Sequence, residues 1–98
     1  MNQLWTWSGK YVGYFDGDDL WAYDGRHIGK LRGSEVYDAA GKYLGEKRNQ
    51  DRLVFVRSKS HRKSAPFLPL DKRLPTVPRS DAPTYLLDFG HDDFALGT

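Results

Sequence analysis

The sequence contains LWTWSGKYVGYFDGD at residues 4–18, LWAYDGRHIGKLRGS at residues 20–34 and VYDAAGKYLGEKRNQ at residues 36–50. Each segment begins sixteen residues after the previous one, so its glycines, aliphatic residues and basic residues fall at matching positions. A fourth copy, LVFVRSKSHRKSAPF at residues 53–67, follows after a one-residue insertion and keeps the apolar start without the glycines. A fixed period of this kind indicates that one supersecondary unit is used several times.

Each sixteen-residue unit has the pattern of a β-hairpin. Alternating apolar residues precede a dipeptide that ends in glycine, and a second apolar-containing run follows it. The dipeptides are Ser8-Gly9, Asp24-Gly25 and Ala40-Gly41. X-Gly between two such runs is typical of a two-residue hairpin turn. We therefore predict hairpins that turn at 8–9, 24–25, 40–41 and near 57–58. In the second unit this register pairs Leu20 with Gly29 and Trp21 with Ile28.

Two further kinds of turn or contact position are visible in the repeat. The second glycine of each unit (Gly13, Gly29 and Gly45) lies opposite an aliphatic residue, which indicates close approach of a neighbouring chain segment. Asn49 replaces glycine at the junction after the third unit. Because Asn tolerates the left-handed backbone conformation, this junction is also predicted to be a turn.

The distribution of apolar residues predicts a closed sheet. Both faces of the predicted hairpins carry apolar residues, so an open flat sheet would leave one of them in water. Closure around an axis buries the inner face and removes most free edges. The predicted fold class is all-β: four β-hairpin repeats of about 16 residues around a pseudo-four-fold axis, followed by a Pro-rich C-terminal arm. An eight-stranded meander and a small barrel of another topology are the alternatives.

The repeated motif Gly-[Lys/Arg]-[Tyr/His]-[Val/Ile/Leu]-Gly resembles that of small bacterial proteins described as four-fold β-flower proteins. It occurs at residues 9–13, 25–29 and 41–45, and the resemblance covers residues 4 to about 67. The fourth copy departs from it, since Ser58 and Arg62 occupy the glycine positions. The resemblance implies a fold and a bacterial origin but no established activity, so no functional residue is transferred from it.

Length and composition limit the classes of function. With 98 residues the chain has room for one small domain, and with no Cys it has no disulfide, no thiolate metal site and no Cys nucleophile. No apolar run is long enough to span a membrane, and the start lacks the features of a secretory signal, so a cytoplasmic location without membrane contact is expected. The net charge of +2 does not favour any class of partner.

The C-terminal third differs in composition from the repeats. All five prolines lie between residues 66 and 83, which predicts an extended arm and sets the domain boundaries at 4–67 and 68–98. The segment 84–96 that follows is apolar, and we expect it to dock on another copy of the chain or to return to its own domain as an extra strand. Because a small core is marginally stable, we predict a homo-oligomer, and in particular a symmetric dimer. The predicted contact residues are Tyr85, Leu86, Leu87 and Phe89.

No pattern in the sequence predicts catalysis, a metal or a cofactor. His27 occupies a position that is aromatic in the other units, so a structural role is expected. His91, Asp92 and Asp93 are metal-ligand types, but adjacent residues on a strand point to opposite sides. The sequence contains no nucleophile elbow and no phosphate-binding loop. We therefore predict that the protein is not an enzyme and binds no cofactor.

One stretch of the chain is strongly basic. Residues 47–63, KRNQDRLVFVRSKSHRK, hold seven cations and one acid. The candidate anion-binding residues are Arg57, Lys59, Arg62 and Lys63, and strand alternation would place Arg62 on the opposite side from the other three. Weak, salt-sensitive nucleic-acid binding is one interpretation. Contact with an acidic protein, such as the turn at residues 16–19 of a neighbouring subunit, is a second. A solvated edge that prevents aggregation is the third.

The function predicted from these observations is a small non-catalytic binding or protein-interaction module, with itself or another protein as partner. The first alternative is weak nucleic-acid or anion binding through residues 47–63. The second is a small hydrolase that uses an acid pair or the segment 91–93. A purely structural part of a larger assembly is the remaining class.

Overall fold

The computed structural model describes residues 2–95, so residues 96–98 of the predicted arm lie outside the described residues, as does residue 1. The fold of the described part is all-β, as predicted. It consists of eight strands and one short 3-10 helix: β1 (Asn2–Thr6), β2 (Tyr11–Asp16), β3 (Asp19–Ala22), β4 (His27–Arg32), β5 (Glu35–Tyr37), β6 (Tyr43–Arg48), β7 (Arg52–Val56), the 3-10 helix (Arg57–Lys59) and β8 (His91–Asp93).

The first seven strands form a closed barrel. Consecutive strands from β1 to β7 pair antiparallel, and a parallel pairing of β1 with β7 closes the sheet. β1 contacts β7 at Arg52 and Leu53, and β8 pairs antiparallel with the rest of β7, at Val54–Val56. Closure removes free strand edges, which agrees with the reasoning from apolar faces.

The core lies where matching positions of the four units meet. Leu4, Leu20, Val36 and Leu53 are fully buried, one each from β1, β3, β5 and β7. Val12, Phe15 and Phe94 complete the buried cluster, and Ile28, Leu31 and Leu44 pack against it. Phe94 follows β8, so the C-terminal segment contributes to the barrel core.

The hairpin loops have three residues, and the two-residue turns predicted from the sequence were wrong. In the second unit the Ala22 N–H donates to the Arg26 carbonyl at 2.9 Å, and the Gly25 N–H donates to the Ala22 carbonyl at 3.0 Å. Gly25 has a φ of +96°, as expected for the last residue of a three-residue loop that forms a bulge. The extra residue shifts the register next to the loop, where Trp21 pairs with His27. An irregularity in the pairing between Leu20 and Trp21 restores the predicted pairing of Leu20 with Gly29.

The predictions for the remaining glycine positions are confirmed. A Cβ atom on Gly13 would lie 1.9 Å from the Trp21 carbonyl oxygen, so only glycine allows the next strand to approach this closely. Asn49 has a φ of 49° and forms the junction turn before β7.

The hairpin turn predicted near 57–58 was wrong. β7 ends at Val56, the chain forms the 3-10 helix, and the antiparallel strand that next pairs with β7 is β8. The physical reason is the lack of glycine in this copy, since a tight three-residue loop requires a residue with positive φ. Residues 60–90, which connect the 3-10 helix to β8 and are called the arm below, replace the tight turn.

Candidate functional site

The arm runs across the three hairpin loops in reverse order. At each loop the glycine carbonyl accepts a hydrogen bond from an arm N–H. The pairs are Gly41 with Ser64 (2.9 Å), Gly25 with Arg73 (2.8 Å) and Gly9 with Ala82 (2.8 Å). The three donors are nine residues apart, so the arm has a period of its own that matches the sixteen-residue period of the hairpins.

A second hydrogen bond forms three residues further along the arm at each loop. The first loop residue accepts it through its carbonyl. The pairs are Ala39 with Phe67 (3.0 Å), Tyr23 with Thr76 (2.7 Å) and Trp7 with Tyr85 (3.1 Å). Each loop therefore holds the arm through two backbone hydrogen bonds, and the three loops are called the arm-docking sites below.

The sequence carries a signal for this arrangement that our sequence analysis missed. The arm divides into SAPFLPLDK at residues 64–72, RLPTVPRSD at residues 73–81 and APTYLLDFG at residues 82–90. The first two segments have proline at their third and sixth positions. The prolines predict an extended arm, and their nine-residue spacing indicates the repeated docking.

The loop glycines are required by the arm as well as by the turn. A Cβ atom on Gly25 would lie 1.9 Å from the Arg73 carbonyl oxygen, and on Gly9 it would lie 2.0 Å from that of Ala82. Gly33 has a positive φ too, but nothing lies within 4 Å of its Cβ position. The docking-site glycines therefore differ from the other turn glycines in having the arm backbone packed directly on them.

Arg52 holds the end of the arm. Its side chain is 3% exposed, and its Nη1 donates to the carbonyls of Pro83 (2.7 Å) and Trp7 (3.3 Å). The guanidinium lies 4.0 Å from the centre of the Tyr85 ring, which also contacts the Trp7 ring edge-to-face. Trp7 Nε1 donates to the Leu86 carbonyl at 2.7 Å. The backbone of residues 83–86 is thus fixed against the first hairpin.

Arg73 adds side-chain contacts at the middle docking site. Its guanidinium lies 3.9 Å from the centre of the Trp21 ring and forms an ion pair of 2.9 Å with Asp16. Trp21 belongs to the second unit and Asp16 to the first, so one arm residue joins two neighbouring hairpins.

His27 has the structural role that its aromatic position predicts. Its ring packs on that of Trp21, with 4.9 Å between the ring centres. The Leu70 N–H donates to Nδ1 at 3.0 Å, so the proton is on Nε2, which lies 2.9 Å from Asp19 Oδ1. His27 therefore connects the arm to β3 as a neutral imidazole.

The residues predicted as oligomer contacts lie at the end of the arm. Tyr85 is 40% exposed and packs on its own barrel, but Leu86 is 91% exposed, Leu87 46% and Phe89 101%. Leu86, Leu87 and Phe89 are called the apolar patch below. Leu68 and Val77, at the position of Leu86 in the two preceding nine-residue segments, are also almost fully exposed.

Three of the four predicted anion-binding residues form ion pairs with carboxylates of the same chain. Arg57 pairs with Asp92 at 3.4 Å, Lys59 with Glu46 at 2.8 Å and with Glu35 at 3.2 Å, and Arg62 with Glu35 at 2.7 Å. The fourth cation, Lys63, forms a backbone bridge with Lys42. The predicted alternation was wrong: residues 57–59 form a 3-10 helix, and Lys59 and Arg62 reach the same carboxylate.

A buried polar cluster surrounds Lys59. The Tyr43 hydroxyl donates to Glu46 at 3.3 Å and accepts the Val56 N–H at 3.2 Å, and burial raises the pKa of Tyr43 to about 12. Burial opposes ionisation of Glu46, but Lys59 and Arg48 together hold the pKa of this carboxyl below its usual range. These groups satisfy one another inside the fold.

The segment suggested for hydrolysis fixes strand β8 in place. Asp93 accepts hydrogen bonds from the Ser8 hydroxyl and from the Ser8 N–H (3.1 Å), and Asp92 pairs with Arg57. The two acids thus face different partners, as strand alternation predicts. Between residues 2 and 95, no group of three or more His, Asp and Glu side chains is arranged to hold a metal ion.

No helix within residues 2–95 has the length and apolarity needed to cross a membrane.

The chain was compared with protein-family models, curated proteins and solved structures. The family model described as 4-fold beta flower protein matches residues 1–95, which include the arm and β8 as well as the hairpins. Neither the comparison with curated proteins nor the comparison with solved structures gave a match. The match spans almost the whole chain and agrees with the repeat motif and the closed all-β sheet, so this chain belongs to the 4-fold beta flower family.

Proposed function

We propose that this chain is a small, non-catalytic protein-interaction module that forms a homodimer through the apolar patch. The observation that supports this is the exposure of Leu86 and Phe89, at 91% and 101%, on a segment whose backbone is fixed by Trp7 and Arg52. Large apolar side chains held in place at a surface are typical of protein contact sites. Because the segment is already ordered, little conformational entropy is lost on binding.

A second copy is the partner that fits this patch. It is apolar, and packing against its own copy across a two-fold axis would cover both patches at once. Its three side chains supply roughly half of the surface, about 800 Å² per partner, that a stable interface buries. We therefore expect a weak dimer whose population depends on concentration.

The polar clusters support a non-catalytic role. The carboxylates of Glu35 and Glu46 are occupied by Lys59, and the Ser8 hydroxyl is bonded to Asp93. Groups that satisfy one another in this way stabilise the fold. The pairing of Arg57, Lys59 and Arg62 with carboxylates likewise gives less support to nucleic-acid binding through residues 47–63.

Light scattering of the full chain tests the homodimer, over concentrations from about 10 μM to about 1 mM. We expect the mass to rise toward that of a dimer. The double variant Leu86→Ser, Phe89→Ser should remain monomeric over the same range. Leu74→Ser is the matched control, because Leu74 is 88% exposed but lies outside the apolar patch. A monomeric mass of the wild type throughout, or an equal effect of Leu74→Ser, would contradict the proposal.

A further inference from the structure

We propose that the three arm-docking sites also accept the arm of a second copy, so that two chains form a dimer by reciprocal exchange of residues 64–95. This inference rests on the proposed homodimer and specifies how its two copies are joined. The arm as it lies on its own barrel gives the binding pose.

The docking sites recognise backbone spacing. The six backbone hydrogen bonds at the docking sites each join an N–H of the arm to a carbonyl of a loop. The loop glycines admit the arm carbonyls, as at Gly25, where a Cβ atom would lie 1.9 Å from the Arg73 oxygen. An extended chain that presents N–H groups at the same spacing meets the same acceptors, and the arm of a second copy does so by identity of sequence.

The arm is held with little burial of its own side chains. Within residues 57–93 no residue is buried, although several are partly covered. An open groove of about 460 Å³, lined by Tyr11, Tyr23 and Arg79 among others, lies between the arm and the hairpins near the loops of Gly9 and Gly25. Segments with few buried contacts open locally more readily than the core does. The arm is therefore the part of the fold that can detach from the hairpins.

Reciprocal exchange preserves the contacts that release breaks. β8 and Phe94 follow the arm, so they would move with it, and Phe94 would enter the core of the partner barrel. The exposed residues 60–63 provide the hinge, and the Arg62–Glu35 ion pair and the Lys63–Lys42 bridge open when it moves. Exchange of an identical element between protomers is a low-cost route to a dimer.

Two complementary full-chain variants test the exchange. Arg73→Pro with Ala82→Pro removes two arm N–H donors and leaves all docking sites intact. Gly25→Ala with Gly41→Ala obstructs two docking sites and leaves the arm intact. Both variants also carry Leu86→Ser and Phe89→Ser, so that the apolar patch cannot join them. We expect that mixing them gives a one-to-one heterodimer by native mass spectrometry, because the arm of the second variant docks on the hairpins of the first. No heterodimer from two variants that both keep the wild-type far-UV spectrum would overturn the proposal.

A second measurement needs no substitution in the protein. A labelled synthetic peptide of residues 64–95 is titrated in excess into the wild-type chain, where it competes with the attached arm. The control peptide lacks Lys72, so the spacing between the first two docking positions becomes eight residues. We expect saturable binding of the matched peptide and at least about tenfold weaker binding of the control. Equal affinity of the two peptides, or no binding of either, would overturn the exchange.

These results are distinguishable from those that test the proposed function. A wild-type dimer that the apolar-patch variant dissolves, together with no heterodimer and no peptide binding, supports the homodimer and overturns exchange. A wild-type dimer that the apolar-patch variant retains, together with a heterodimer and peptide binding that depends on spacing, supports exchange and contradicts a dimer held by the apolar patch.

Discussion

Glycine at positions 9, 25 and 41 satisfies two separate constraints. The left-handed backbone at the end of each three-residue loop disfavours other residues, with a φ of +96° at Gly25. The arm carbonyls also occupy the space of a side chain. The repeat motif therefore records both the hairpin turn and the docking of a segment far away in the sequence.

The two constraints can be separated by a pair of alanine substitutions. In Gly33→Ala the only cost is that of placing alanine in the left-handed conformation, because φ is +64° and nothing lies within 4 Å of the Cβ position. It should lower the free energy of unfolding by about 1 kcal/mol. Gly25→Ala should cost about 2 kcal/mol more, because the arm backbone must also move. Urea unfolding midpoints measure both, and an equal loss would contradict arm docking at Gly25.

The Tyr43 hydroxyl is expected to ionise at a higher pH than an exposed tyrosine does. Its pKa is raised to about 12 in the folded chain because it is buried. An exposed tyrosine has a pKa near 10, so the unfolded state loses this proton first. The protonated Tyr43 hydroxyl therefore contributes fully to the stability of the fold below about pH 10, and this contribution is lost as the pH rises to about 12. Titration of tyrosine absorbance should show one phenol ionising near pH 12 that is missing in Tyr43→Phe. Ionisation of all six tyrosines near pH 10 would contradict the burial of Tyr43.

At the scale of elements, β8 completes the sheet that the fourth repeat begins. It pairs with Val54–Val56 beyond the end of β1, and Phe94 directly after it is 3% exposed in the core. β8 thus takes the place of the second strand that the fourth hairpin lacks.

Phe94→Ala tests the contribution of this segment. Removing a buried aromatic side chain from the core should lower the free energy of unfolding by about 3–5 kcal/mol. Phe89→Ala is the control, since Phe89 is fully exposed and its loss should change stability by less than about 0.5 kcal/mol. Chemical denaturation at low protein concentration, where dimer formation is negligible, gives both values. A small effect of Phe94→Ala would indicate that the C-terminal segment is not part of the core.

The sequence predicted most of the barrel because its signals are local and repeated. The sixteen-residue period located the hairpins, the second glycines predicted close strand contact, and Asn49 predicted a turn. The loop length was missed because X-Gly fits both a two-residue loop and a three-residue loop with a bulge. The return of the segment 84–96 as an extra strand was one of the two predicted alternatives, and β8 confirms it. The residues of that strand were not predicted, because His91–Asp93 lacks the glycine and aliphatic residues of the other second strands. The path of the arm depends on backbone hydrogen bonds, which leave only the proline spacing as a sequence signal.

At the scale of the whole molecule, the arm connects the hairpins around the barrel. The molecule measures 36 × 33 × 22 Å, and nine residues of extended, proline-rich chain reach about 28 Å. This reach is within the dimensions of the molecule, in agreement with an arm that meets a new hairpin loop every nine residues. The arm thereby places Leu68, Val77 and Leu86 at equivalent exposed positions beside the three loops.

Amide hydrogen exchange, followed residue by residue by NMR, tests the docking of the arm most directly. We predict that the six arm N–H groups bonded to loop carbonyls exchange slowly: Ser64, Phe67, Arg73, Thr76, Ala82 and Tyr85. The N–H groups of Lys72, Leu74 and Val77 form no backbone hydrogen bond within residues 2–95, so they should exchange at the rate of an unstructured peptide. Protection that repeats every nine residues would support the three docking sites. Fast exchange of all nine groups alike would contradict them.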